Sequence, residues 1–301
     1  MKPSVDDFVT LNDGRRLAYC EWGHREGAPV VFINGSPGSR LWIPDQRVTE
    51  DRGVRLVTFD RPGIGLSDPK AYRTLADIAI DVASLADALG IDRFPVIGFS
   101  AGGVYAAACA GVLGDRVKST TIVNTRHLAL YNVSERPESY DELDAESRAV
   151  YELAQRDALA AVALCKEQDA EWVEQLRERP ESIWDGPPEE RAPEGDRWFW
   201  RDQERCASFY DNTREALRQG IDGYKWESLD IFLPWGFRLS EISVSVTIWY
   251  GLQDARFQGH GLELEKWVEA RIPACTVVTW DDAGHMGIVK HWGTVLDRIR
   301  K

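Results

Sequence analysis

Short, continuously apolar, β-rich runs recur along this chain: PVVFI at 29–33, VRLVTF at 54–59, FPVIGF at 94–99, a briefer one at 120–123, VTIWY within 244–250, and TVVTW at 276–280. Such runs predict strands buried on both faces. Between them lie helical patterns. Leu75, Ile78, Val82, Leu85 and Leu89 repeat at helical spacing over 74–90, and Gly90 closes the segment. Residues 101–113 form a small-residue helix, and a C-terminal helix falls around 292–299. Near the start, residues 7–22 read as a hairpin, with FVTL and RLAYCEW flanking Asn12-Asp13-Gly14. Strands alternating with helices predict a mostly parallel sheet with helices on both faces, an α/β fold.

One segment breaks the alternation. Residues 125–240 contain no convincing strand but carry helical patterns at 141–168 and 197–218, separated by a Pro-rich acidic loop at 186–195. Crossovers in parallel sheets are usually a single short helix. The excess predicts an inserted helical cap, or lid, over 125–240, on a core formed by 1–124 and 241–301.

Composition narrows the function. With 301 residues, 44% hydrophobic and 28% charged, the chain is ordinary globular material, sized for one large domain with an insertion. Lys and Arg total 36 against 49 Asp and Glu, a formal charge of −13. That balance repels phosphate backbones and anionic membranes, so nucleic-acid and membrane partners are not expected. The uncharged stretch 94–114 is long enough for a bilayer, but Pro95, Gly98, Gly102 and Gly103 divide it into a strand, a turn and a buried helix. Five scattered cysteines without a CxxC pair predict neither a disulfide framework nor a zinc site. No secretory signal is visible at residues 1–9, and a cytoplasmic location is expected.

The chemistry concentrates after three strands. Gly98-Phe99-Ser100-Ala101-Gly102 lies between a strand and a helix, the context that gives a G-x-S-x-G string its meaning. A nucleophilic Ser on a sharp turn needs small neighbours two residues away and a helix N-terminus aimed at developing negative charge. The plain alternative is Ser100 as a helix N-cap. Asp254 is the carboxylate in the loop after 246–250, and His285 follows 276–280 and opens the last helical segment. His24, His127, His260 and His291 have the wrong addresses for a base, and Asp281 and Asp282 read as solvated loop carboxylates. Ser100, Asp254 and His285 thus form a candidate triad in the order expected of strands crossing a parallel sheet. The N–H groups of Ala101 and Ser36 are the candidate oxyanion hole, Gly35 and Gly38 letting the loop approach a ligand closely. Gly63-Ile64-Gly65 lacks a third glycine and a following helix, which excludes a nucleotide loop.

Together these motifs resemble the α/β-hydrolase superfamily over essentially the whole chain. The resemblance implies a nucleophile elbow at Ser100, an acid at Asp254, a base at His285, and an oxyanion loop at Asn34-Gly35-Ser36-Pro37-Gly38. It also assigns the turn from Asp60 through Ser67 a structural role. One departure stands out: the family's loop usually opens His-Gly, and Asn34 in place of that His implies the loss of a brace. Dehalogenases and epoxide hydrolases carry a carboxylate where this chain has Ser100. Proline iminopeptidases are close in layout, and the acidic cap residues Glu181, Asp185, Glu189, Glu190, Glu194 and Asp196 would then meet a substrate ammonium, although a Pro-rich acidic loop ordinarily reads as solvated surface.

Of the 12 Trp, Trp172, Trp184, Trp198, Trp200, Trp226 and Trp235 lie in or beside the insertion. Trp198-Phe199-Trp200 cannot turn every ring to one helix face, so at least one is expected to face the core or a pocket. Lid-to-core packing is the plain reading of any one of these rings, and an aromatic wall the functional one. Phe99, Gly35, Trp198 and Trp200 are the candidate substrate-binding residues, in a site for a mostly apolar small molecule. The expected activity is serine hydrolysis of a carboxylic ester or lactone, with no metal or organic cofactor. The rival readings are an aminopeptidase or amide hydrolase on the same triad, and a ligand receptor, lyase or cyclase on the same fold. The sequence does not specify an oligomeric state.

Overall fold

Asn12, Asp13 and Gly14 reverse the chain as expected: Gly14 sits at φ 85°, and its N–H donates to the Leu11 carbonyl at 2.9 Å. This joins β1 (Val5–Thr10) to β2 (Arg16–Gly23). The computed structural model describes residues 2–183, 186–255 and 262–299. Within them the remaining strands are β3 (Ala28–Ile33), β4 (Val54–Phe59), β5 (Phe94–Phe99), β6 (Val117–Val123), β7 (Ser245–Gly251) and β8 (Cys275–Trp280). They form an eight-stranded sheet in the order β1-β2-β4-β3-β5-β6-β7-β8. β1 and β2 pair antiparallel, as do β2 and β4. Every pairing from β4 through β3 to β8 is parallel.

Strand alternation sends neighbouring side chains to opposite faces. Val31, Ile33 and Val96 join one apolar cluster with helices Leu75–Ala88 and Gly102–Leu113. Val30, Phe32 and Ile97 join the other, with Trp292, Val295 and Leu296 of helix Trp292–Ile299. This two-faced burial explains why the strands read as unbroken apolar runs. Helix Leu75–Ala88 starts at a capping box in which Thr74 and Asp77 satisfy each other's backbone N–H.

Between β6 and β7 the described residues form helices, turns and loops and no strand. The two long helices expected there are each broken. One pattern resolves into Ser139–Glu142, Ala145–Ala154 and Ala158–Glu178, the other into Arg197–Trp200 and Gln203–Ala216. Asp144, Asp157 and Asp202 each start a new helix by accepting a backbone N–H through the side chain. The Pro-rich loop itself contains a helical turn, Pro188–Arg191, and runs into a 3-10 turn at Glu194–Asp196. Helix Gly220–Asp230 completes the insertion.

The insertion has its own apolar cluster, including Val150, Val162, Trp226 and Leu229. It is also joined to the loops after β3 and β4 by buried ion pairs: Arg40 with Glu215 at 2.7 Å, Arg61 with Glu227, and Arg73 with Asp230 at 3.0 Å. Among the described residues no helix is long and apolar enough to cross a membrane.

Candidate active site

The register aligns the ends of four strands. Phe99 of β5 pairs with Val123 of β6, Val123 with Trp249 of β7, and Gly251 of β7 with Trp280 of β8. The residues that follow these ends are therefore brought to one edge of the sheet, where open α/β sheets hold their ligands.

Ser100 leaves β5 at φ 53°, a left-handed conformation that costs a non-Gly residue on the order of 1–3 kcal/mol. Its surroundings enforce the turn. The Ser100 N–H donates to the Val123 carbonyl at 2.9 Å, and the Thr125 hydroxyl donates to the Ser100 carbonyl. A Cβ on Gly98 would lie 2.3 Å from the Gly102 carbonyl oxygen, and one on Gly102 would lie 2.1 Å from that of Ile33. Both positions are glycine because backbone occupies the space a side chain would need.

His285 and Asp254 meet in the loops after β8 and β7. The His285 Nδ1 lies 2.7 Å from the Asp254 Oδ2, and both side chains are buried. With Asp254 as carboxylate, Nδ1–H donates and Nε2 is left as the acceptor. The His285 ring packs against Phe99, with centroids 5.1 Å apart. Asn124, also at positive φ (50°), links the loops: its amide donates to the carbonyls of Gly284 at 3.0 Å and His285 at 2.7 Å, and its Oδ1 accepts the Gly251 N–H at 2.8 Å.

Asn124 carries no signal of this role in its local sequence, and Asp196 departs from the solvated surface expected of it. Instead of lying on a solvated acidic surface, Asp196 is 3% exposed. Its carboxylate accepts the backbone N–H of His285 at 2.9 Å and of Met286 at 2.8 Å. Burial pushes its pKa upward, against the lowering by these N–H donors and by His285. Glu181, Glu190 and Glu194 are exposed, as a solvated face requires. Trp184, Asp185, His260 and the Glu189 side chain lie outside the described residues. Asp281 and Asp282 are exposed, and Asp282 pairs with Lys290 at 2.8 Å.

The loop after β3 brings Gly35 against Ser100, where a Cβ on Gly35 would lie 2.9 Å from the Ser100 Cβ. The missing His does not leave this loop unbraced. Asn34 donates through Nδ2 to the carbonyls of Ser39 at 2.7 Å and Trp42 at 2.9 Å. The Arg61 guanidinium donates to the carbonyls of Asn34 at 2.7 Å and Gly35 at 2.8 Å. Because C=O and N–H point oppositely across a trans peptide, holding the Gly35 carbonyl also fixes the direction of the Ser36 N–H. The Ser36 hydroxyl donates to the Glu227 Oε2 at 2.6 Å. Ala101 lies just before helix Gly102–Leu113, where N–H groups have no partner within the helix.

A cavity of about 450 Å³ opens over these residues. Gly35, Ser36, Phe99, Ser100, Asp196 and His285 line it together with Trp42, Trp172, Trp200 and Phe209. Of the paired tryptophans, Trp200 faces this cavity and Trp198 is not among its lining residues. Trp198 instead donates its indole N–H to the Gly195 carbonyl at 3.0 Å, under the Arg205 guanidinium. Among the described residues no group of His, Cys, Asp and Glu side chains is arranged to hold a metal ion.

Comparison with known proteins agrees with this architecture. The alpha/beta hydrolase fold family matches residues 28–291, and the chain belongs to that family. A proline iminopeptidase from Xylella fastidiosa is 36% identical over 111 residues, 36% of this chain and 36% of that protein. A non-heme chloroperoxidase from Streptomyces lividans is 39% identical over 97 residues, 32% of this chain and 35% of that protein. The matched stretch thus spans about a third of the length of these curated relatives. An esterase from Exiguobacterium antarcticum superimposes with a TM-score of 0.65 at 17% identity, covering 99% of this chain and 100% of its own. That likeness is one of fold.

Proposed function

We propose that this chain is a serine hydrolase that cleaves a carboxylic ester or lactone of a mostly apolar small molecule through an acyl-enzyme. The observation that carries the reading is the buried His285–Asp254 contact at 2.7 Å, with His285 and Ser100, on its strained turn, lining one cavity. The Ser100 Oγ attacks the carbonyl carbon while the His285 Nε2 takes its proton. Asp254 keeps Nδ1 protonated and stabilises the imidazolium. The N–H groups of Ser36 and Ala101 receive the oxyanion, with Arg61 holding the peptide planes of the loop. Collapse of the tetrahedral intermediate returns the proton to the departing alcohol oxygen. Water then attacks the acyl-Ser100 ester with His285 as base, releasing the acid and restoring the hydroxyl.

In this reading residues 125–240 are the cap, and Trp200 and Phe209 in it select an apolar substrate group. Free thiols at Cys20, Cys109, Cys165 and Cys275 favour action in the cytoplasm. The iminopeptidase relative favours a second reading, removal of an N-terminal residue on the same triad. Turnover of an aryl acetate, a lactone and an amino-acid anilide by the protein and by Ser100→Ala separates them. The ester reading expects ester or lactone turnover that is lost in Ser100→Ala. Anilide cleavage exceeding ester cleavage would replace it by the peptidase reading.

A further inference from the structure

A second, smaller cavity of about 240 Å³ adjoins the first, and Ser36, Ser100 and His285 line both. The two are chemically unlike. The larger is walled mainly by aromatic rings, whereas Tyr105, His127, Tyr224, Glu227, Ser228 and Ile231 line the smaller.

The buried carboxylates beside the small cavity are paired. Glu227 is paired with Arg61, and Asp230 behind it with Arg73, all four side chains being essentially inaccessible to water. The Tyr105 hydroxyl donates to Asp230 at 3.0 Å, and the Arg61 guanidinium lies over the Tyr105 ring. Burial pushes the Tyr224 phenol up to about 12, so it is neutral and adds no charge. Asp169, which accepts from the Ser228 hydroxyl at 3.2 Å, is half-buried, and desolvation pushes its pKa upward, toward the neutral form.

Such a pocket has acceptor capacity, while the carboxylate in its wall, Glu227, is neutralised by Arg61. Glu227 Oε2 already accepts from Ser36, yet a carboxylate oxygen keeps a further lone pair, and the Ser228 and Tyr224 oxygens also accept. An ammonium entering it would lose its water against a lining carboxylate whose charge Arg61 already balances. A hydroxyl or amide N–H would lose far less and find partners. We infer that the small pocket receives a neutral hydrogen-bond donor of the substrate, a hydroxyl or amide N–H group, and disfavours an ammonium, while the aromatic cavity takes the apolar part. The inference rests on the serine-hydrolase reading.

Two ester series of matched size test it at about pH 6.5, where the amines are protonated. One comprises the 2-naphthyl esters of glycolic acid, propionic acid and glycine. The other comprises the 2-naphthoate esters of ethylene glycol, propanol and ethanolamine, so that either side of the ester can occupy the small pocket. Each kcat/KM is divided by the rate of hydroxide hydrolysis of the same ester. The hydroxyl ester is expected to exceed both its alkyl and its ammonium counterparts by about tenfold in at least one series. Ser228→Ala and Tyr224→Phe, checked for folding by circular dichroism, should each pull that hydroxyl-to-alkyl ratio toward one. Preference for the ammonium ester in either series, no discrimination in both, or a ratio unmoved in both variants overturns the inference. Fluorophosphonate labelling of Ser100, run in parallel, keeps the two readings distinct. Labelled protein without discrimination refutes the pocket assignment alone, whereas absence of labelling refutes the hydrolase reading beneath it.

Discussion

The carboxylate of Asp196 grips the backbone of His285: Oδ2 accepts the His285 N–H at 2.9 Å, while Oδ1 accepts that of Met286 at 2.8 Å. A residue of the helical insertion therefore sets the position of the candidate base on the sheet. Misplacing a catalytic group by about 1 Å can cost on the order of 100-fold in rate. Asp196→Ala is expected to lower kcat by about 10- to 100-fold, with a smaller change in KM. Asp196→Asn, which keeps one acceptor, should fall between it and the unaltered protein. Steady-state kinetics on an aryl ester check this, and unaltered kcat in Asp196→Ala would refute the positioning role.

The buried pair Arg73–Asp230 joins the insertion to the body, with both side chains fully enclosed. Removing one member of a buried pair strands the other charge, at about 3–5 kcal/mol, whereas replacing both by apolar residues is often nearly neutral. Asp230→Ala should therefore lower Tm by roughly 6–20 °C. The double variant Arg73→Met with Asp230→Leu should recover most of that loss. Calorimetry decides, and equal destabilisation by the single and double variants would contradict the account.

Trp200 lines the larger cavity and Trp198 does not, though they are two residues apart. Losing the contact of a large apolar side chain costs roughly 1.5–3 kcal/mol. Trp200→Ala should thus reduce kcat/KM for a naphthyl ester by about 10- to 100-fold, chiefly through KM. Trp198→Ala should change it by less than about threefold. Similar losses in both variants would contradict the cavity assignment.

Burial pushes Cys109, Cys165 and Cys275 each up to about 12, and moves Cys20 in the same direction. Since the thiolate is the reactive form, brief iodoacetamide treatment at about pH 8 should label none of the four in the folded protein and all of them in denaturant. Folding holds these protons to higher pH than the unfolded chain does, so stability should fall as pH rises beyond about 9. Peptide mass spectrometry and melting curves measure the two effects. Rapid labelling of Cys109 in folded protein, or melting temperatures that rise from about pH 9 to 10, would contradict it.

What was legible in the sequence was local. The strand runs, the hairpin at Gly14 and the elbow around Ser100 follow from period, turn chemistry and steric need within a few residues. The breaks at Asp144, Asp157 and Asp202 carried a local signal too, an N-cap residue before each new helix, which the longer helical period obscured. The contacts that fix the site are of another kind. Asp196 reaches His285 across 89 residues, Asn124 reaches Gly284 across 160, and Glu227 meets Arg61 across 166. Nothing local separates Asp196 from its exposed acidic neighbours. Only the folded insertion buries it. Asn34 illustrates the same point, because its brace depends on carbonyls that the loop presents only when closed.

The central claim is that Ser100 is a nucleophile activated by His285. The most direct test is reaction with a fluorophosphonate probe, followed by peptide mass spectrometry, on the unaltered protein, Ser100→Ala and His285→Ala. The account predicts one modified peptide carrying the probe on Ser100, no modification in Ser100→Ala, and labelling slowed by at least about 100-fold in His285→Ala. Modification at another residue, or unchanged labelling in His285→Ala, would contradict it.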